Sequence, residues 1–161
     1  MPEDPIAAAK MRVMMNKFDK TIGGYFGVIV ARYQDEEKIT KFLDEVLPIY
    51  EKWCEDANGK YLLGTDDVTL VDVHCGGIWD SMFTGVQAEA HSKGAELLDL
   101  KTKAPNWWAY MERLRAHPEL SKVCMQQACH DMFAARSMVY DVTKKCQLSL
   151  PELAAAFPEC C

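Results

Sequence analysis

The chain has 161 residues, 49% of them hydrophobic and 26% charged, with nine glycines and seven prolines. That length carries one domain with a real core, and the composition excludes collagen-like and disordered chains. The net charge of −6 and the pI near 5.2 oppose phosphate backbones, and no Lys/Arg stripe offsets them, so nucleic acid is not an expected partner. No run approaches the roughly 18 apolar residues that span a bilayer. The opening MPEDPIAAAK is acidic before it is apolar, which is not the order of a signal peptide. Seven scattered cysteines without a secretion signal read as reduced thiols of a cytoplasmic protein.

Asp4 and Pro5 open the first element, as an N-cap followed by a proline at the first helical position. Met11, Met15, Phe18, Ile22, Tyr25 and Ile29 then recur in steps of four and three, which predicts one helix ending near Tyr33. Gly23, Gly24 and Gly27 weaken it locally. Asp35 caps a second helix with the stripe Ile39, Leu43, Val46, Tyr50 and Trp53. Pro48 lies off that stripe and predicts a kink, and Gly59 predicts a left-handed stop. Two long stripes and a short turn predict an antiparallel helix pair.

A third helix is expected from Thr69. Its first turn holds Thr69 at the N-cap and Asp72 at the third helical position, with Val68 and Val73 placed as a hydrophobic staple. The expected box is reciprocal: the Thr69 hydroxyl accepts from the Asp72 N–H while the Asp72 carboxylate accepts from the Thr69 N–H. A helix this apolar enters the core by its end, where dry N–H groups need an acceptor. Thr69 and Asp72 are therefore read as a structural cap rather than as catalysts. A fourth helix is expected over Pro105 to Ala116, with Trp107, Met111 and Leu114 on one face and His117-Pro118 as its stop. A fifth is expected over Glu119 to Tyr140. A second capping box, Ser149 to Glu152, with Leu148 and Leu153 as its staple, predicts a short terminal helix. No segment alternates as a strand does. The fold class is all-α: a bundle of five to six helices around a central buried helix, with one domain over 1–140 and an extension over 141–161.

Gly64 and a short turn, followed by Thr69 and Asp72, resemble the capped central helix in the C-terminal domain of cytosolic glutathione transferases. VLPIYEKW (Val46 to Trp53), APNWWAYMERLRAHPEL (Ala104 to Leu120) and PEDPIAAAKMR (Pro2 to Arg12) are similar to further stretches of that domain, in the same order. The sigma-like group is the nearest in pattern. In that family a thioredoxin-like domain precedes the helical one and carries the glutathione site. None of its pattern is found in these residues. The resemblance thus implies glutathione as the parent family's co-substrate, no cofactor held by this chain, and no efficient conjugation by this chain alone. It also implies an apolar wall for hydrophobic small molecules, and a partner that is a second copy, a thioredoxin-like domain or another protein.

The same resemblance places Met11, Met14, Met15 and Phe18 on the wall, with Tyr140 folding over it. Methionine is flexible and polarizable, which suits varied apolar ligands. The competing reading of this stripe is plain core. A stand-alone interaction module of the same fold is the alternative to a transferase half. Asn16 falls near a position where some classes carry an acid, and here it is an amide. His74 and Cys75 are helix neighbours pointing about 100° apart, so they form no nucleophile–base pair. Cys124, Cys129 and His130 match no zinc spacing. No catalytic residue and no metal ligand is expected. Cys160-Cys161 lacks the basic residues that assist lipid anchoring.

Overall fold

The computed structural model describes residues 4–23, 25, 36–85, 99–124 and 155. Helix α1 runs Pro5–Ile22. The Asp4 carboxylate accepts from the N–H groups of Ile6 (3.2 Å) and Ala7 (2.9 Å), so the expected cap is in place. Ala8, Met11, Phe18 and Ile22 face the core, with Met15 and Tyr25 packed against it. The expected continuation from 26 to Tyr33 lies outside the described residues.

The second helix is expected with a kink, and the structure gives that kink a specific form. Helix α2 (Glu36–Lys41) passes into a π turn (Phe42–Val46) and then into α3 (Leu47–Ala57). Pro48 has no N–H to donate to the carbonyl four residues back, and its ring crowds that carbonyl. The backbone answers by widening one turn, so that the Leu47 N–H reaches the Phe42 carbonyl five residues back. Helix α3 ends at Asn58, which is already left-handed (φ 48°), one residue before the left-handed Gly59 (φ 77°).

A loop leads to α4 (Leu70–Gly85), followed by a short α5 (Leu100–Lys103) that no sequence pattern announced, and by α6 (Pro105–Ala116). Helix α6 stops at His117, whose backbone is extended. Where the fifth long helix is expected to begin, the chain makes a 3-10 turn (Leu120–Lys122). Residues 125–140 and the expected terminal helix lie outside the described residues, apart from Ala155. Among the described residues there is no strand.

Helix α4 packs against α1 on one side and α6 on the other, and α6 packs in turn on α3. The core is aromatic where these helices meet, with Phe18, Phe42, Tyr50, Trp79, Trp107 and Tyr110 fully buried. Burial of α4 is not complete all round: Leu70 and Val73 remain 49% and 48% exposed.

Two adjacent glycines in α4 have opposite roles. A Cβ on Gly76 would lie 2.6 Å from Leu114 Cδ2, so α4 and α6 approach closely there, whereas a Cβ on Gly77 meets nothing within 4 Å among the described residues. Gly77→Ala is expected to stabilise the protein by about 0.5–1 kcal/mol through helix propensity alone. Gly76→Ala gains the same propensity but must displace a buried leucine, which costs about 1–3 kcal/mol. Denaturant titration of the two variants should therefore give shifts of opposite sign. Equal shifts would show that α4 and α6 have slack between them.

Candidate functional site

The starts of α4 and α6 are tied down by buried or distant carboxylates. At the start of α4 the Asp72 carboxylate is fully buried. Its Oδ2 accepts from the Thr69 N–H (2.7 Å) and the Thr69 hydroxyl (2.6 Å). Its Oδ1 accepts from the Leu62 N–H (2.8 Å) and the Tyr110 hydroxyl (2.5 Å). The box is thus one-directional. The Thr69 hydroxyl donates to the acid instead of accepting from the Asp72 N–H, which bonds the Thr69 carbonyl at 3.1 Å. Of the expected staple, Val68 packs on the core while Val73 stands half exposed.

The start of α6 lacks a cap of its own, because Ala104 has no side-chain acceptor. Glu51 of α3 supplies one from a distance. Its carboxylate accepts from the N–H groups of Asn106 (3.1 Å) and Trp107 (2.9 Å) and from Asn106 Nδ2 (2.6 Å). These N–H groups have no intrahelical acceptor. This residue escaped sequence reasoning, because a cap donated from 55 positions away leaves no local pattern.

With both helix ends fixed, α1 is held with one face inward and another outward. The outer face carries Ile6, Ala9, Val13 and Met14, spaced at i, i+3, i+7 and i+8, a second helical stripe. Ile6 and Val13 are 67% and 55% exposed. With Trp53 of α3 and Leu62 to Gly64 of the loop, this face lines an open groove of about 850 Å³. That falls within the size range of small-molecule sites.

Among the residues expected on a ligand wall, Met14 lines this groove. Met11 and Phe18 instead face the core, and the Phe18 ring lies 5.7 Å from Tyr50 and 5.8 Å from Trp79. Met15 is partly buried against the core. Tyr140 lies outside the described residues, as do Cys129 and His130. Asn16 is solvent-exposed. His74 and Cys75 do point apart: Cys75 is fully buried, while His74 Nε2 meets Asp19 Oδ1 of α1 at 2.7 Å.

Burial holds several groups in their neutral form. Loss of water pushes up the thiols of Cys54 and Cys75, with the negative Glu51 and Asp72, respectively, adding to the effect. The phenols of Tyr50 and Tyr110 are pushed up by burial first; for Tyr110 the neighbouring Asp72 adds to this, and for Tyr50 the bond to Thr21 opposes it. These thiols are therefore poor nucleophiles at neutral pH. The linkage runs one way. Each folded-state pKa lies above the ordinary values of 9.0 and 10.0, so the stabilisation is complete below those values and is lost as pH rises past them. The melting temperature should be flat from about pH 7 to 9 and fall steadily above pH 9. Circular-dichroism melts across that range check this, and a flat profile up to about pH 11 would contradict it.

Among the described residues, no three His, Cys, Asp or Glu side chains are grouped to hold a metal, and no helix is long and apolar enough to cross a membrane. Among the described residues the α1 groove is the largest of several open clefts, and the Asp72 carboxylate ties down the Leu62 backbone in its lining. No protein-family model matches the chain, and neither a curated protein nor a solved structure matches it.

Proposed function

We propose that this chain is the helical half of a glutathione transferase-like protein, of the sigma-like type, and that the α1 groove is its wall for a hydrophobic electrophile. The observation that carries this reading is the second apolar stripe of α1, exposed at Ile6 and Val13 and grading into the core at Met14, along the floor of the groove. An apolar strip of this kind orients an electrophile without touching its reacting bond. Activating a thiol against that electrophile needs a lowered thiol pKa and an oriented donor. Cys54 and Cys75 have the opposite environment. By the resemblance, glutathione is the co-substrate of the parent reaction, and conjugation by this chain alone is not expected.

Three measurements on the purified chain test the proposal. Glutathione resin should not retain it, and a nitroaryl halide with glutathione should react at the uncatalysed rate. The neutral apolar dye phenylnaphthylamine should bind, and Val13→Asp should abolish that binding. Appreciable turnover would overturn the division of labour, and absence of dye binding would overturn the wall.

The alternative is an interaction module of the same fold. The high exposure of Ile6 and Val13 favours it, because a protein partner would cover that surface. Light scattering separates the two readings. A single-chain mass with dye bound supports the wall. A dimer that dissociates in Val13→Asp supports the module.

A further inference from the structure

We propose that the cleft between α4 and the 3-10 turn after α6 is a separate ligand site, which takes a flat, uncharged aromatic molecule bearing a hydroxyl group. Two rows of residues spaced by four, Asp72–Gly76–Asp80 and Val73–Gly77–Ser81, run along one face of α4 and line the cleft. Leu114 of α6, with Leu120 and Val123 at the turn, forms the apolar wall opposite. The cleft encloses about 310 Å³, the lower end of small-molecule sites, which suits one or two rings and not a protein partner. It shares no described residue with the α1 groove, so the inference does not rest on the function proposed for that groove.

Ser81 points to the ligand. The residue is only 8% exposed, it lines the cleft, and its hydroxyl makes no hydrogen bond among the described residues. A hydroxyl left unpaired at that depth is unfavourable, and a ligand that pairs with it recovers the loss. Beside it Asp80 is 7% exposed and ion-paired with Arg115, so its carboxylate adds an acceptor to the cleft but no net charge. The Cys124 thiol near Asp80 is pushed up, by burial first and by that carboxylate second, and stays neutral as well. A charged ligand gains nothing from so balanced a site. A hydroxyl group, by contrast, donates to Asp80 and accepts from Ser81 through one atom. Gly77 supplies the room for a ring: a Cβ there meets nothing within 4 Å among the described residues, so bare backbone faces the cleft.

The test compares naphthol with its methyl ether, which keeps the rings and the acceptor and drops the donor. Both are titrated by their own fluorescence into the Val13→Asp chain, in which the α1 groove is blocked. Naphthol should bind about three- to tenfold more tightly, the worth of one neutral hydrogen bond, although the ether is the more apolar of the two. Ser81→Ala, added to that chain, should remove most of this advantage. It should leave the ether's affinity and the melting temperature unchanged, because the lost hydroxyl has no partner in the folded chain. Gly77→Leu puts a good helix former into the open space and should abolish binding of both probes, with the circular-dichroism spectrum of the parent. Equal affinities for the two probes, no binding of either, or naphthol binding that survives both substitutions would overturn the proposal. So would a melting temperature several degrees lower in Ser81→Ala, because the hydroxyl would then already be bonded within the protein. None of these outcomes bears on the α1 groove, whose own test is the phenylnaphthylamine titration.

Discussion

Asp72→Ala is expected to destabilise the protein by about 3–6 kcal/mol, a large fraction of what holds a domain together. The size follows from what the change strands. The carboxylate is fully buried and accepts four hydrogen bonds, two of them from backbone N–H groups at Leu62 and Thr69. The hydroxyls of Thr69 and Tyr110 can rotate toward other acceptors, but the two N–H groups cannot. Each dry, unpaired N–H costs about 1–3 kcal/mol, and the negative charge at the positive end of α4 is lost as well. Asp72→Asn keeps the shape yet sets an amide NH₂ against one of the same two N–H groups, so it too should cost at least about 2 kcal/mol. Tyr110→Phe removes one donor and leaves the acid otherwise satisfied, for about 1.5–3 kcal/mol. Urea unfolding of the three variants checks the ranking. An Asp72→Asn protein within about 0.5 kcal/mol of the parent would mean the helix tip is wet and the carboxylate incidental.

The same residue shows what the sequence makes legible and what it does not. Its bond to the Thr69 N–H spans three residues and follows from helix geometry alone. Its bonds to Leu62 and Tyr110 span 10 and 38 residues and required the folded arrangement of three segments. Glu51 is the sharper case, since nothing in its own surroundings marks it as the cap of a distant helix. The effect of Pro48 was readable as a kink because the missing N–H is intrinsic to proline. Its form as a π turn depended on how the backbone gave way. In α1, Met11 and Met14 sit only about 60° apart around the axis. Composition and spacing treat them alike. The placement of α3 and the 62–64 loop decides that one is core and the other lines a groove.

Trp79→Ala should be the other severe change, at about 4–5 kcal/mol, near the upper end for emptying a large aromatic site. Trp79 is where three helices converge. Its ring lies 5.8 Å from Phe18 of α1, 5.1 Å from Tyr50 of α3, and 6.2 Å and 5.8 Å from Trp107 and Tyr110 of α6. The interplanar angles with Phe18, Trp107 and Tyr110 are 84–87°, the edge-to-face arrangement that aromatic quadrupoles favour. These neighbours belong to three helices packed on one another, so they cannot all collapse into the vacated space, and a cavity remains. Trp79→Phe gives the control. The indole N–H is buried with no hydrogen-bond partner among the described residues, so removing it sacrifices no bond. Phenylalanine keeps most of the edge contacts and loses only ring volume, for about 1–2 kcal/mol. The gap between the two variants measures what a buried ring contributes at this site through burial and packing together. If Trp79→Phe were as damaging as Trp79→Ala, the indole N–H would have to carry a bond, and the account of this core as held by ring packing would be wrong.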